Sequence, residues 1–128
     1  MKIAFYEETL GTRVLNLIDM TVTTVVEPQW EGKQPSWARM QDSLVFIGVN
    51  SGEWNLYSKQ LPSGARTLVC SGQMPDWSPD DRALVFRGSG ITTANNALYR
   101  MDLASGIITQ LMSVGGEDNP RWPAWRRF

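Results

Sequence analysis

Histidine is absent from all 128 residues, and cysteine occurs once, at Cys70. The first absence removes the commonest general base and the commonest transition-metal ligand. The second excludes an intrachain disulfide and any thiolate metal cluster, so Cys70 reads as a small buried residue near a strand end. No apolar run approaches the ~18 residues of a membrane span. Basic residues do not cluster either. Net charge is −1 with both signs scattered, and the one adjacent basic pair is Arg126-Arg127. A surface that tracks phosphates is therefore not expected, and neither nucleic acid nor membrane is expected as a partner. No stretch keeps a helical period. Ser51, Ser71, Ser89 and Ser113 have no histidine to activate them. Gly88-Ser89-Gly90 lacks the strand-to-helix context of a phosphate loop, and Glu7-Glu8 are mere chain neighbours. These absences argue against an enzyme, and no catalytic residue, metal or cofactor is expected.

What the chain does contain is a repeat. Pro35-Ser36-Trp37, Leu44-Val45-Phe46 and Leu56-Tyr57 recur as Pro75-Asp76-Trp77, Leu84-Val85-Phe86 and Leu98-Tyr99, with Trp to Phe nine positions in both copies. An earlier copy starts late: Ile3-Ala4-Phe5 matches the Leu-Val-Phe runs, and Leu15-Asn16-Leu17 takes the place of Leu56-Tyr57-Ser58. A fourth segment follows each, at Val22 to Val26, Arg66 to Val69 and Ile107 to Met112. Four short β-rich segments at a period near forty indicate a β-propeller blade. Pro62-Ser63-Gly64 and Ala104-Ser105-Gly106 read as hairpins in which glycine supplies a positive φ. With 42% hydrophobic residues, one globular domain over 1–128 accommodates these copies. Blade 1 is expected over about 2–27, blade 2 over 34–70 and blade 3 over 74–112.

The C-terminal tail returns to the opening motif. Pro120-Arg121-Trp122 and Pro123-Ala124-Trp125 both repeat Pro-x-Trp. With A as the strand nearest the axis, the order runs B-C-D, A-B-C-D, A-B-C-D, A, and the segment 119–125 is the A strand that blade 1 lacks. Propellers use typically four to eight blades, and six is the multiple of three in that range. The expected architecture is therefore an all-β half-propeller of three four-stranded blades, closed into a six-bladed ring by homodimerisation. Each C-terminal strand is exchanged into the partner's first blade, bringing Pro120, Trp122, Pro123 and Trp125 against Ile3 and Phe5. Burying the aromatic tails contributes several kcal/mol per chain, at ~25 cal/mol/Å² and 150–250 Å² per tryptophan. No stable folded monomer is expected. On this reading the chain is complete, and with no signal peptide evident before Lys2-Ile3 the cytoplasm is the default compartment.

Blade 3 also carries a resemblance. Pro75-Asp76-Trp77-Ser78-Pro79-Asp80-Asp81, then Ala83-Leu84-Val85-Phe86 and Leu98-Tyr99-Arg100-Met101-Asp102, resembles the repeat of the TolB-type β-propellers, which reads P-x-W-S-P-D-G, an I-A-F-like strand, then L/I-Y-x-M-D. Asp81 stands where that family has glycine, and Ala38-Arg39-Met40-Gln41 replaces S-P-D-G in blade 2. Ser78-Pro79-Asp80-Asp81 still suits a type I turn. The family carries six blades in one chain with an extra domain and an export signal, and its propellers bind other proteins. The resemblance thus implies a protein-binding scaffold.

Trp37, Trp77 and Trp125 keep the blade phase and read as core or inter-blade packing. Asp76, Asp80 and Asp81 read as caps on backbone N–H groups, since calcium needs six to eight oxygen ligands. Candidate binding residues lie where the repeat varies, on one rim: Glu7, Glu8 and Arg13 in a loop over 7–13, Glu53 and Trp54 in a loop over 50–54, Arg87, Asn95 and Asn96 beyond the third B strand, and Trp30 in the loop over 27–34. The expected function is non-enzymatic binding of a protein or peptide by the rim or the axial channel of the dimer. Two alternatives stand beside it: a small-molecule or carbohydrate-binding propeller, and a detached piece of a larger TolB-like or oligopeptidase-like propeller.

Overall fold

Runs of five to eight residues rich in valine, threonine, leucine and aromatics, broken by polar turns, form eleven strands among the described residues. The computed structural model describes residues 1–30, 32–50, 52–88, 97–113 and 123–125. The first antiparallel meander contains β1 (Lys2–Glu7), β2 (Gly11–Asn16) and β3 (Val22–Val26). A single 3-10 turn at Pro28–Trp30 leads to the second sheet. That sheet orders β4 (Lys33–Trp37), β5 (Ser43–Asn50), β6 (Glu53–Gln60) and β7 (Arg66–Ser71). The third orders β8 (Gln73–Trp77), β9 (Ala83–Arg87), β10 (Ala97–Asp102) and β11 (Ile108–Ser113). The chain is all-β, and its sheets are blades of a partial propeller. No helix among the described residues is long and apolar enough to cross a membrane.

Pairing registers show how the blades correspond. A bulge interrupts β6–β7 between Leu56 and Tyr57, β10–β11 between Leu98 and Tyr99, and β2–β3 between Thr12 and Arg13. Phe46 pairs with Tyr57, Phe86 with Tyr99 and Phe5 with Arg13. The expected match of Leu15-Asn16-Leu17 to Leu56-Tyr57-Ser58 is therefore corrected: Thr12-Arg13-Val14 occupy those places. The physical reason is the hairpin, which needs only Glu8-Thr9-Leu10 between β1 and β2 and so pulls β2 three residues earlier. Thr12 sits fully buried where blade 2 has Leu56, and its hydroxyl is satisfied by donating to the Gly32 carbonyl.

Hydrophobic side chains collect between blades. Val45, Ile47 and Leu56 on one face of blade 2 meet Trp77, Leu84, Phe86, Ala97 and Tyr99 of blade 3. Leu44, Phe46 and Tyr57 on its other face meet Val14 and Val26 of blade 1. The alternation of a strand thus serves two neighbours at once, which is why Leu44-Val45-Phe46 is apolar at three consecutive positions. Phe46 stacks on Tyr57 with centroids 6.1 Å apart, and Phe86 on Tyr99 at 5.9 Å.

Turn chemistry supports the frame. Asp81 donates its N–H to the Ser78 carbonyl at 3.1 Å, closing the turn in which Pro79 is the second residue. Gly106 has a φ of 71°, as expected of the second C–D hairpin. The first differs: no positive φ is found at Gly64. There a Cβ would lie 2.5 Å from the Gln60 carbonyl oxygen, so glycine is required by close approach.

Three turn aspartates are acidified by their own loops. The Thr21 hydroxyl and N–H hold the Asp19 carboxyl below 3.8, the Ser78 hydroxyl and Arg82 N–H do so for Asp80, and the Ser105 N–H and hydroxyl do so for Asp102. A carboxylate with a depressed folded pKa stabilises the fold fully above its unfolded value and loses that contribution as pH falls through the folded value. Thermal stability is therefore expected to decline below about pH 4. In a pH series of melting curves, the combined Asp19→Asn, Asp80→Asn, Asp102→Asn variant should decline less steeply over that range than the parent chain.

Candidate functional site at the open blade faces

Blades 2 and 3 show what a finished seam looks like. The inner strands β4 and β8 run side by side, and their polar groups interlock. Ser36 Oγ donates to Asp76 Oδ1 at 3.1 Å, the Met74 N–H donates to Gln34 Oε1 at 3.2 Å, and Trp77 Nε1 donates to the Ser36 carbonyl at 3.1 Å. Gln34 and Met74, equivalent residues forty apart, both have positive φ (50° and 53°) at the bulge where each inner strand leaves its partner. Asp81 adds a second tie. Its carboxylate accepts the Arg39 N–H at 2.7 Å and the Met40 N–H at 2.5 Å, reaching from the blade 3 turn to the turn of blade 2. Asp81 itself has a φ of 57°, the conformation that glycine would adopt there.

The other two faces are unfinished. Ile3 is 47% exposed, whereas its equivalents Leu44 and Leu84 are fully buried. Phe5 is half-buried, and its equivalents Phe46 and Phe86 are fully buried. In blades 2 and 3 these positions are covered by the preceding blade. At the opposite end, Met112 is 50% exposed, whereas its counterpart Cys70 packs beneath blade 3. Burial pushes the Cys70 thiol up to about 12, so it is held as a neutral thiol inside the seam.

Blade 1 has no inner strand among the described residues, and β1 is its free edge. A groove of about 400 Å³ opens there, lined by Met1, Lys2 and residues 37–42. Lys2 Nζ contacts Asp42 across it at 2.7 Å, an exposed pair of little energetic weight. Of the expected closure residues, Pro120 and Trp122 lie outside the described residues. Pro123 and Trp125 form no strand in the single chain. Instead the Trp125 N–H donates to Asp76 Oδ2 at 2.9 Å, and Pro123 and Ala124 join β4 and β8 in lining an axial cavity of about 500 Å³. The tail therefore rests against blade 3, away from Ile3 and Phe5 of its own chain.

The rim residues are rearranged relative to expectation. Glu7 belongs to β1 and Arg13 to β2, where Arg13 Nη1 pairs with Glu7 Oε2 at 2.9 Å, leaving only Glu8 of the three in the loop. Glu53 and Trp54 open β6, and Arg87 closes β9; Asn95 and Asn96 lie outside the described residues. Trp30 is 42% exposed, with the Arg66 guanidinium 3.7 Å from its ring centroid and 4.3 Å from that of Tyr57. Lys33 Nζ lies 5.2 Å from the Trp54 ring and 5.8 Å from Tyr6. Nothing in the spacing of Arg66 or Lys33 signalled these stacks, since they join residues from different strands. Asp76, Asp80 and Asp81 all accept N–H or O–H groups, as caps do.

No family model matches the chain, and no curated protein matches it. Solved structures do. TolB from Acinetobacter baumannii superposes with a TM-score of 0.75 at 19% identity, covering 91% of this chain and 32% of that one. A putative TolB from Agrobacterium tumefaciens gives 0.69 at 18% identity, covering 81% and 38%. A prolyl endopeptidase structure gives 0.64 at 14% identity, covering 90% and 20%. At these identities the likeness is one of fold, and the fold is that of a partial, TolB-like β-propeller. The chain spans about a third of the length of the two TolB structures.

The Asp81 tie makes a separable prediction. Asp81→Ala should lower stability by about 2 kcal/mol, losing two charge-assisted bonds while keeping a Cβ at positive φ. Asp81→Gly should recover about 1 kcal/mol of that by relieving the backbone. Denaturant midpoints of the three proteins measure both contributions.

Proposed function

We propose that two copies of this chain close a six-bladed propeller, and that the ring is a non-enzymatic scaffold binding a protein or peptide at its rim and axial cavity. One observation carries the assembly: Ile3 and Phe5 of the first blade are half-exposed, and the residues equivalent to them by register are fully buried within the chain. A sheet apolar on both faces gains stability from a neighbour on each, at roughly 25 cal/mol per Å² covered. The two end faces complement each other, since one belongs to a first blade and the other to a last. Three blades sweep half a circle, and a two-fold axis completes it. The likeness to TolB folds supports six as the blade count of the ring.

For the ligand, the rim chemistry favours a peptide over a glycan. Sugar recognition calls for an open aromatic face, but Trp30 carries Arg66 and Trp54 carries Lys33. Cations fixed on aromatic rings, together with exposed Glu8 and Glu53, suit a polar polypeptide. The absence of histidine supports a binding role over a catalytic one. The coverage of a third of TolB favours a second reading, in which the remaining blades belong to a longer propeller.

Light scattering after size exclusion separates the two. The dimer reading expects twice 14.4 kDa, or 28.8 kDa, dissociating on dilution, and loss of the 28.8 kDa species for a Phe5→Asp variant. A monodisperse 14.4 kDa species from the unaltered chain overturns it. Peptides selected on the dimer from a random displayed library should lose about tenfold or more in affinity for a Trp30→Ala, Glu53→Ala variant. Equal affinity would move the ligand site off the rim.

A further inference from the structure

We infer the register in which the second copy's tail seats in blade 1: Ala124 opposite Ala4, Trp125 opposite Ile3, and the Ala124 carbonyl accepting the indole N–H of Trp37. This rests on the homodimer proposed above and adds to it a specific alignment of a named segment.

The argument starts from an unpaired donor. Trp37 Nε1 is buried and has no acceptor among the described residues. A buried donor left unpaired is unfavourable, and native structures rarely keep one. Its equivalent one blade on, Trp77 Nε1, donates to the carbonyl of Ser36, the residue before the tryptophan of the neighbouring inner strand. Blade 2 lacks that neighbour, since blade 1 has no inner strand among the described residues. The acceptor Trp37 requires is thus the carbonyl preceding a tryptophan on an inner strand beside β1.

The tail supplies that motif. Pro123-Ala124-Trp125 repeats Pro35-Ser36-Trp37 and Pro75-Asp76-Trp77, which makes Ala124 the counterpart of Ser36. The ladder position follows from the finished blades. Ser36 pairs with Val45 and Trp37 with Leu44, and Asp76 pairs with Val85 and Trp77 with Leu84. Bulge alignment equates Ala4 with Val45 and Ile3 with Leu44. Ala124 therefore faces Ala4 and Trp125 faces Ile3. The groove lined by Met1, Lys2 and residues 37–42 is where such a strand would lie.

The tail's position in its own chain agrees. The Trp125 backbone N–H is held by Asp76 of β8. A tail lying next to β8 is next in ring order after blade 3, where an inner strand shared with the partner's β1 belongs. The same three residues thus contact blade 3 of their own chain and blade 1 of the second copy. Each ring contains two such junctions.

Cysteines report the register directly. In a full-length Cys70→Ala background, Ala4→Cys with Ala124→Cys places the two Cβ atoms directly across the ladder, about 4.5–5.5 Å apart. Mild oxidation should give a covalent dimer on a non-reducing gel, through bonds between copies. The offset pair Lys2→Cys with Ala124→Cys should link at least about tenfold more slowly. Trp37→Phe keeps an aromatic side chain but loses the indole N–H, and should raise the dimer Kd roughly 5-fold per junction, or about 25-fold for two. Trp77→Phe, which loses a bond within one chain, should leave the Kd unchanged within about twofold. A light-scattering dimer that links faster at the offset pair, or that ignores Trp37→Phe, overturns the register and leaves the homodimer standing. A monomer removes both.

Discussion

Face-to-face packing of sheets that are apolar on both sides governs this molecule. Leu44 and Phe46 of β5 point to one neighbour, Val45 and Ile47 to the other, and all four are buried because both neighbours are present. A two-sided sheet cannot face water on either side without exposing a row of large side chains. Every blade therefore gains from two companions, and the blades at the ends of a row lack one. The exposed Ile3 and Met112 mark where it is missing in a single chain.

Polar groups enforce the angle and register of what the apolar faces draw together. Burial alone is non-directional, and Leu against Phe tolerates sliding. The bonds from Ser36 to Asp76, from Trp77 to Ser36 and from Met74 to Gln34 join the inner strands where the blades converge on the axis. Asp81 reinforces them at the turns. A glycine there would satisfy the backbone more easily, but it could not hold the Arg39 and Met40 N–H groups. Aspartate at this position thus exchanges local ease for a tie between blades.

Much of this was legible in the chain. The spacing of Trp37 to Phe46 and Trp77 to Phe86 located the A and B strands of two blades, and Ser78-Pro79-Asp80-Asp81 announced its own turn. The C strand of blade 1 was not legible, because Leu15 and Leu17 imitate Leu56 while the residue that occupies its place is Thr12, a polar side chain buried by a hydrogen bond. Glu7, Arg13, Glu53 and Trp54 read as loop and proved to be strand, since the B–C hairpins of blades 1 and 2 tighten to three and two residues and no local residue marks that. Neither Gln34 nor Met74 carries any sign of positive φ, which the bulge imposes on them.

By itself the sequence determined the class of structure: period, strand count per repeat and the apolar face of each strand are all local properties, set by side-chain alternation and turn residues. Tertiary structure decided which of those faces and donors are satisfied. Whether Ile3 is covered, whether an indole N–H finds a carbonyl, and whether Arg66 lies on Trp30 depend on residues distant in the chain. Those contacts are set by how one sheet docks on the next, and no short-range pattern encodes that docking.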